Sequence, residues 1–278
     1  MSRRRGALAV ALAIVLAAGV ASAQFRGGWG RFRRFPPRVP VSEASFDGGF
    51  NFCRLMYSSQ WREMGGQGWS TDYPDADINF SIRFAELTKV RISRQADNGA
   101  PSHYTIRLTD PWLGRCPFIL GSDVGTMALD DAEVQGLRTY LLKGGFFWVD
   151  DFWGSRAWDT FETLMAQVLP PAEYPFRDIG PDHAIYRTMF PLTELPQVPS
   201  IQFWRETGGA TSERGGDSAQ PHMRAILDKA GRPMVLATHN TDIADAWERE
   251  GEDPQYFYQF SPNGYATAIN ILLYAMSH

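Results

Sequence analysis

The sequence predicts an α/β protein with a mainly parallel sheet and helices on both faces. Three observations point there. In Lys143-Gly144-Gly145-Phe146-Phe147-Trp148-Val149-Asp150-Asp151, a helix stops on glycine, four apolar residues follow, and two carboxylates end the run. A short apolar run so bounded reads as a strand buried on both faces. Arg232 to Thr238 is a second such strand and ends in His239-Asn240-Thr241-Asp242. Between and around these two, strand-like and helix-like segments alternate, the pattern of βαβ units.

Each element has its own signal. Phe50 to Tyr57 is strand-like and runs into a polar, Gly-rich loop, Ser58 to Ser70. Ala76 to Val90 has helical spacing, with acids near its start that suit the helix dipole. Tyr104 to Leu108 and Pro117 to Leu120 are short strands. Asp130 and Glu133 form an N-cap and capping-box pair; Val134, Leu137 and Leu141 then make one stripe, and Gly144 is the C-cap. Ser155 opens a helix that Pro170-Pro171 close. An irregular insertion spans about Glu173 to Gly231, with Ile201 to Arg205 as a strand candidate, and Asn263-Gly264 opens a terminal helix reaching about Met276.

The N-terminus reads as an address. Arg3, Arg4 and Arg5, the apolar stretch Gly6 to Val20 and Ala21-Ser22-Ala23 make a cleavable signal peptide over 1–23, so the expected mature start is Gln24 and the expected location periplasmic or secreted. Losing those three arginines leaves 24 basic and 31 acidic residues. Five of the 24, Arg26, Arg31, Arg33, Arg34 and Arg38, crowd an Arg/Gly/Pro-rich arm (24–44, expected disordered) that precedes a single acidic domain, 45–278. The arm is suited to an anionic envelope surface or partner. The acidic body argues against nucleic acid, and no transmembrane segment is expected after signal cleavage. Cys53 and Cys116 lie in or beside predicted strands, where bridge geometry is often poor; buried free thiols are favoured over a disulfide.

In open α/β sheets, ligands bind at the carboxyl ends of strands. The polar residues expected there are Ser58, Ser122, Asp150, Asp151, His239, Asn240 and Asp242, and His183 sits in a loop expected to fold over the same rim. Asp150, Asp151, His183, His239 and Asp242 are the candidates for acid/base work, because a base with an orienting carboxylate needs these groups. Ser58, Ser122, Asn240, Trp153 and Trp247 are candidates for a ligand-binding rim. The plainer alternative is that Asp150 caps the following helix, Asp151 holds a loop and the histidines are satisfied locally. No H-x-H or H-x-x-E spacing supports a metal, and no cofactor is implied. Asp123, in Gly121-Ser122-Asp123-Val124-Gly125, reads as a turn aspartate.

The order of motifs is similar to that of the bacterial family known as domain of unknown function 4159. The resemblance rests on Phe52 to Tyr57 with Trp61, Trp69-Ser70-Thr71-Asp72-Tyr73-Pro74, Leu137 to Asp151, Asp182 to Tyr186, His239 to Asp242 with Trp247, and the Gly264 to Tyr274 tail. It implies a flavodoxin-like fold of the class I glutamine amidotransferase-like type and no established activity. It also implies possible envelope partners of the MoxR ATPase and von Willebrand A-domain kind. Amidotransferases of that class place a cysteine after the strand matching Phe146 to Val149, where this chain has Asp150-Asp151-Phe152-Trp153. Glutamine hydrolysis is therefore disfavoured. The expectation is a non-catalytic ligand- or partner-binding module; the alternative is a periplasmic hydrolase or isomerase of sugar or cell-wall fragments using the Asp/His rim, with or without a metal.

Overall fold

A computed structural model describes residues 38–39, 41–62 and 66–277; the signal-like segment and the arm up to Pro37 lie outside the described residues. In chain order the elements are β1 (Phe52–Leu55), β2 (Ser58–Ser59), α1 (Asp75–Thr88), β3 (His103–Ile106), β4 (Ile119–Ser122), β5 (Met127–Ala128), α2 (Asp131–Leu142), β6 (Phe147–Asp150), α3 (Gly154–Val168), β7 (Phe176–Asp178), α4 (Ile201–Thr207), β8 (His222–Leu227), β9 (Pro233–His239), α5 (Asp245–Glu248) and α6 (Pro254–Ser277).

The main sheet has seven strands in the order β3-β1-β4-β6-β9-β8-β7. The first five are mutually parallel, and β8 runs against both β9 and β7. Five parallel strands whose spatial order steps back once and then forward form the flavodoxin-like arrangement, with the switch between β1 and β4. β2 and β5 form a separate two-stranded antiparallel ribbon.

Alternation along the buried strands builds two cores. Trp148 and Leu236 face a layer with Phe80 and Phe84 of α1 and Ile269 and Leu272 of α6. Phe147, Val149 and Val235 face Leu137 and Leu141 of α2 and Phe161 and Leu164 of α3. The apolar run of β6 is thus covered on both faces, as its composition requires.

The capping box forms as expected: Asp130 accepts from Glu133 N at 2.8 Å, and Glu133 accepts from Asp130 N at 3.1 Å. Three expectations are corrected. Ile201 to Arg205 is helical, because the Ser200 hydroxyl accepts from Phe203 N at 3.3 Å and caps the turn. The terminal helix begins nine residues before Asn263, at Pro254, where Asp253 Oδ1 accepts from Gln255 N and Tyr256 N. Asn263 and Gly264 lie inside it; a Cβ on Gly264 would sit 2.4 Å from Ala246 Cβ, so glycine there serves the contact with α5. Cys53 and Cys116 are joined in a disulfide, with Cα atoms 6.1 Å apart. Cys116 follows a short 3₁₀ turn, Leu113–Arg115, and that turn brings it against β1 in a way the strand reading omitted.

The last residues of the arm also belong to the body. Val39 O accepts from Thr105 N of edge strand β3 at 3.2 Å, and Glu43–Ser45 forms a 3₁₀ turn. No helix among the described residues is long and apolar enough to cross a membrane.

Candidate functional site

Three neighbouring parallel strands leave the sheet through a residue with left-handed backbone. Asp123 follows β4 (φ 54°), Asp151 follows β6 (φ 55°) and Asn240 follows β9 (φ 61°). Asp and Asn tolerate this conformation better than other non-glycine residues. Asp72, in the loop before α1, is the fourth such residue at this end (φ 64°). The turns direct Asp123 and Asp151 into a cleft of about 320 Å³, which Asp72, Asp242, Asp245 and Glu248 also line. Trp153, Glu213, Arg214 and Arg249 are among the other residues of its walls.

Each carboxylate is held from behind. Asp72 Oδ2 accepts from Ser122 Oγ at 3.4 Å, Asp151 Oδ1 from Trp153 Nε1 at 3.1 Å, and Asp242 Oδ1 from Asp245 N at 2.9 Å. Asp123 Oδ2 accepts from Gly68 N at 2.7 Å. Asp245 Oδ2 accepts from Ile201 N at 2.5 Å and Tyr256 Oη at 3.4 Å. The two arginines of the wall lie beside acids of the same cleft: Arg249 Nε donates to Glu248 at 2.9 Å, and Arg214 lies 3.7 Å from Glu213.

The carboxylates pack closely enough to interact strongly. One oxygen each from Asp72, Asp151 and Asp242 lie within 4.8 Å of one another, and so do oxygens of Asp72, Asp245 and Glu248. Burial pushes the carboxyls of Asp72, Asp151, Asp242 and Asp245 well above their ordinary range, and the neighbouring acids push further in the same direction. A cleft of this kind favours bound protons or attracts positive charge. A larger open groove, about 840 Å³ between α2 and the 108–117 loop, has Asp110 and Lys143 as its charged residues and no comparable convergence.

Of the residues expected at the rim, Asp151, Asp242 and Trp153 line the cleft. Ser122 stands behind Asp72, fully buried. Asp150 is also fully buried; its oxygens accept from Thr238 Oγ1 at 2.5 Å and Ala244 N at 3.0 Å. It therefore ties β6 to the turn before α5 rather than capping α3, and burial raises its carboxyl to about 7. Asn240 accepts from Gly154 N at 2.8 Å and donates to Gln220 O at 2.8 Å, which fixes the start of α3.

The histidines are turned away. His239 Nε2 meets Gly154 O at 3.0 Å, and its ring packs on Phe152 and Trp158 on the α3 face. His183 Nδ1 accepts from Ile185 N at 3.3 Å, and its ring packs on Tyr274 of α6. Neither lines the cleft. Ser58 is exposed in the β2/β5 ribbon. Trp247 is a correction: it is fully buried between Phe80 and Tyr265, because α5 turns its apolar side into the core.

Sequence reasoning did not select Asp72, Asp123, Asp245 or Glu248. Asp72 lies in the Trp69-Ser70-Thr71-Asp72-Tyr73-Pro74 motif, and Asp245 follows Asp242 by three residues, the spacing of one helical turn. That pair was the available signal.

The profile of the family described as Domain of unknown function (DUF4159) matches residues 51–276. The chain belongs to this family. The match takes in β1 through most of α6, and with them every carboxylate of the cleft. No curated protein matches the chain.

Proposed function

We propose that this member of the family is a non-catalytic binding module whose ligand enters the carboxylate cleft. One observation carries the reading: Asp72, Asp123, Asp151 and Asp242, brought from four separate segments, converge with Trp153 on one concavity at the carboxyl ends of the parallel strands. At the turn where the similar amidotransferases carry cysteine, Asp151 is held by the Trp153 indole, and the imidazoles of His183 and His239 are engaged elsewhere. Charge and shape favour a ligand that is cationic or rich in hydroxyl donors, with an apolar face for Trp153.

The test is a thermal-shift and calorimetric screen of amines, amino sugars, sugars and basic peptides against wild type and Asp151→Asn/Asp242→Asn. A ligand that stabilises wild type and not the double variant supports the reading. Indifference of wild type to every compound removes it.

Hydrolysis of sugar or cell-wall fragments is the second reading, favoured by one observation: Asp151 and Asp242 are close, and burial raises both carboxyls, the direction a general acid needs. Turnover of a glycan fragment by wild type and not by Asp151→Asn would move the assignment from binding to catalysis. Export to an oxidising compartment, from the signal-like N-terminus, is supported by the Cys53–Cys116 disulfide. Fractionation of the tagged full chain, with sequencing of its mature N-terminus, tests it. An envelope partner of the MoxR or von Willebrand A-domain type rests on family resemblance, and co-purification from membranes tests it.

A further inference from the structure

Between Thr207 and Pro221 the chain reads Gly-Gly-Ala-Thr-Ser-Glu-Arg-Gly-Gly-Asp-Ser-Ala-Gln, with no apolar side chain larger than alanine. Such a stretch has little apolar surface to bury, so its place depends on polar contacts. Some of these draw it into one body. Ser212 Oγ and Ser218 Oγ are 2.7 Å apart, Arg214 N donates to Ser218 Oγ at 2.8 Å, and Ser212 Oγ donates to Gly215 O at 2.5 Å. The segment enters from α4 through Gly208 and Gly209, both at positive φ (71° and 106°), and leaves just before β8.

Glu213 and Arg214, in the middle of this loop, belong to the wall of the carboxylate cleft. Other contacts fasten the loop to the body. Asp217 Oδ2 accepts from Ser155 N at 2.9 Å and Ser155 Oγ at 3.2 Å, at the start of α3, where the helix dipole favours a carboxylate. Glu213 Oε1 accepts from Ser200 N, and Ser218 O accepts from Gln197 Nε2, each at 2.8 Å. These attachments are exposed or half-buried, so water can replace either partner at small net cost. The walls carried by Asp151 and Asp242 are of another kind, because they follow β6 and β9, strands buried along their whole length. A cleft bounded by core strands and by a polar loop opens at the loop.

We propose that residues 208–220 form a lid over the carboxylate cleft, with Asp217 as its latch on α3; this rests on the reading of the cleft as the ligand site. When Asp217 leaves Ser155, the loop swings as a unit on Gly208-Gly209 and carries Glu213 and Arg214 away from the cleft. Asp72 and Asp242, 9% and 3% exposed with the lid closed, then become reachable by a ligand.

The experiment times N-ethylmaleimide labelling of the full chain carrying Asp242→Cys, with and without Asp217→Ala; the native cysteines are bridged and do not compete. The expected result is labelling at least about tenfold faster with Asp217→Ala, while a control thiol at exposed Lys229 (Lys229→Cys) changes by less than about twofold. Equal rates at Asp242→Cys overturn the lid. Residue-resolved amide exchange gives a second readout that needs no cysteine. The amides of Ser155 and Arg214 are expected to exchange at least about a hundredfold faster than those of β6 in wild type, and Arg214 at least about tenfold faster again in Asp217→Ala. Protection of the loop equal to that of β6, or no response to Asp217→Ala, overturns it as well. Binding of a compound by wild type with labelling indifferent to Asp217→Ala would remove the lid and leave the binding-module reading standing. Labelling that responds while no compound binds would keep the lid and remove that reading.

Discussion

Arg54 of β1 and Asp77 of α1 form an ion pair, both side chains fully buried, and Arg54 also donates through Nη1 to Thr71 O at 3.2 Å. Thr71 precedes Asp72, so the pair that fastens α1 to the sheet also fixes one wall of the cleft. Removing one partner of such a pair leaves a buried charge without compensation. Asp77→Ala is expected to cost about 3–5 kcal/mol in urea unfolding. A double change to Arg54→Met and Asp77→Leu should recover much of that stability while weakening any ligand that uses Asp72. Unchanged stability in Asp77→Ala would dismiss the pair as a fastening.

The Cys53–Cys116 bridge closes a segment with a sequence separation of 63. Loop-closure entropy for that length is about 4 kcal/mol at room temperature. Cys53→Ala/Cys116→Ala should unfold at lower denaturant by roughly this amount, and wild type in strong reductant should match it once unfolded and refolded. A difference under about 1 kcal/mol would mean that strain or residual structure offsets the constraint.

His239 is pushed down to about 4, chiefly by burial, with Arg224 and His222 adding to the effect. The unfolded imidazole takes a proton near 6.5, so the folded state binds fewer protons in between. The stability associated with neutral His239 is therefore complete above pH 6.5 and is lost as pH falls toward 4, by about 3 kcal/mol at most. His239→Gln should show a flatter decline than wild type across that window. Buried carboxylates titrate with the opposite sign there, so the quantity to follow is the difference between the two proteins.

Asp151 behaves in the opposite sense. Its carboxyl is raised by burial and then by the neighbouring acids, so the folded state holds the proton more tightly than the unfolded one. Stability from that proton is present at low pH and lost as pH rises above the unfolded value near 3.9. In EDTA, Asp151→Asn should be more stable than wild type at neutral pH, by about 0.5–2 kcal/mol, with the gain vanishing near pH 3. Equal stability at all pH values would show that the acids do not oppose one another.

Gly264 lets α6 approach α5, and a methyl group there meets Ala246 Cβ at 2.4 Å. Gly264→Ala is expected to cost about 1–3 kcal/mol despite improved helix propensity. Because α5 carries Asp245 and Glu248, ligand binding at the cleft should weaken too. Thermal unfolding and calorimetry on the same sample separate the two effects.

What the sequence disclosed follows from how local each signal is. The four-residue apolar run of β6 and the Asp130/Glu133 cap are decided by neighbours within a turn or two, and both formed as expected. Ile201 to Arg205 misled because a hydroxyl cap outweighs strand-like composition over so short a stretch. Asn263-Gly264 misled because a glycine needed for helix contact resembles one needed for a boundary. Asp151 and Asp242 were legible as strand-end acids. Asp72 was not, because its place depends on the buried Arg54, an unusual charge in the middle of an apolar strand. Nor could the histidines be placed: strand direction locates a residue at the rim, but the pleat decides which face its ring joins.

Along β1 the side chains alternate, so Cys53 reaches the α2 side of the sheet while Arg54, one position later, reaches α1. A slip of one residue in this strand would drive the guanidinium into the layer around Leu137 and turn the thiol toward Asp77. The Cys53–Cys116 bond and the seating of Arg54 beneath the Asp72 loop thus require one and the same register of β1.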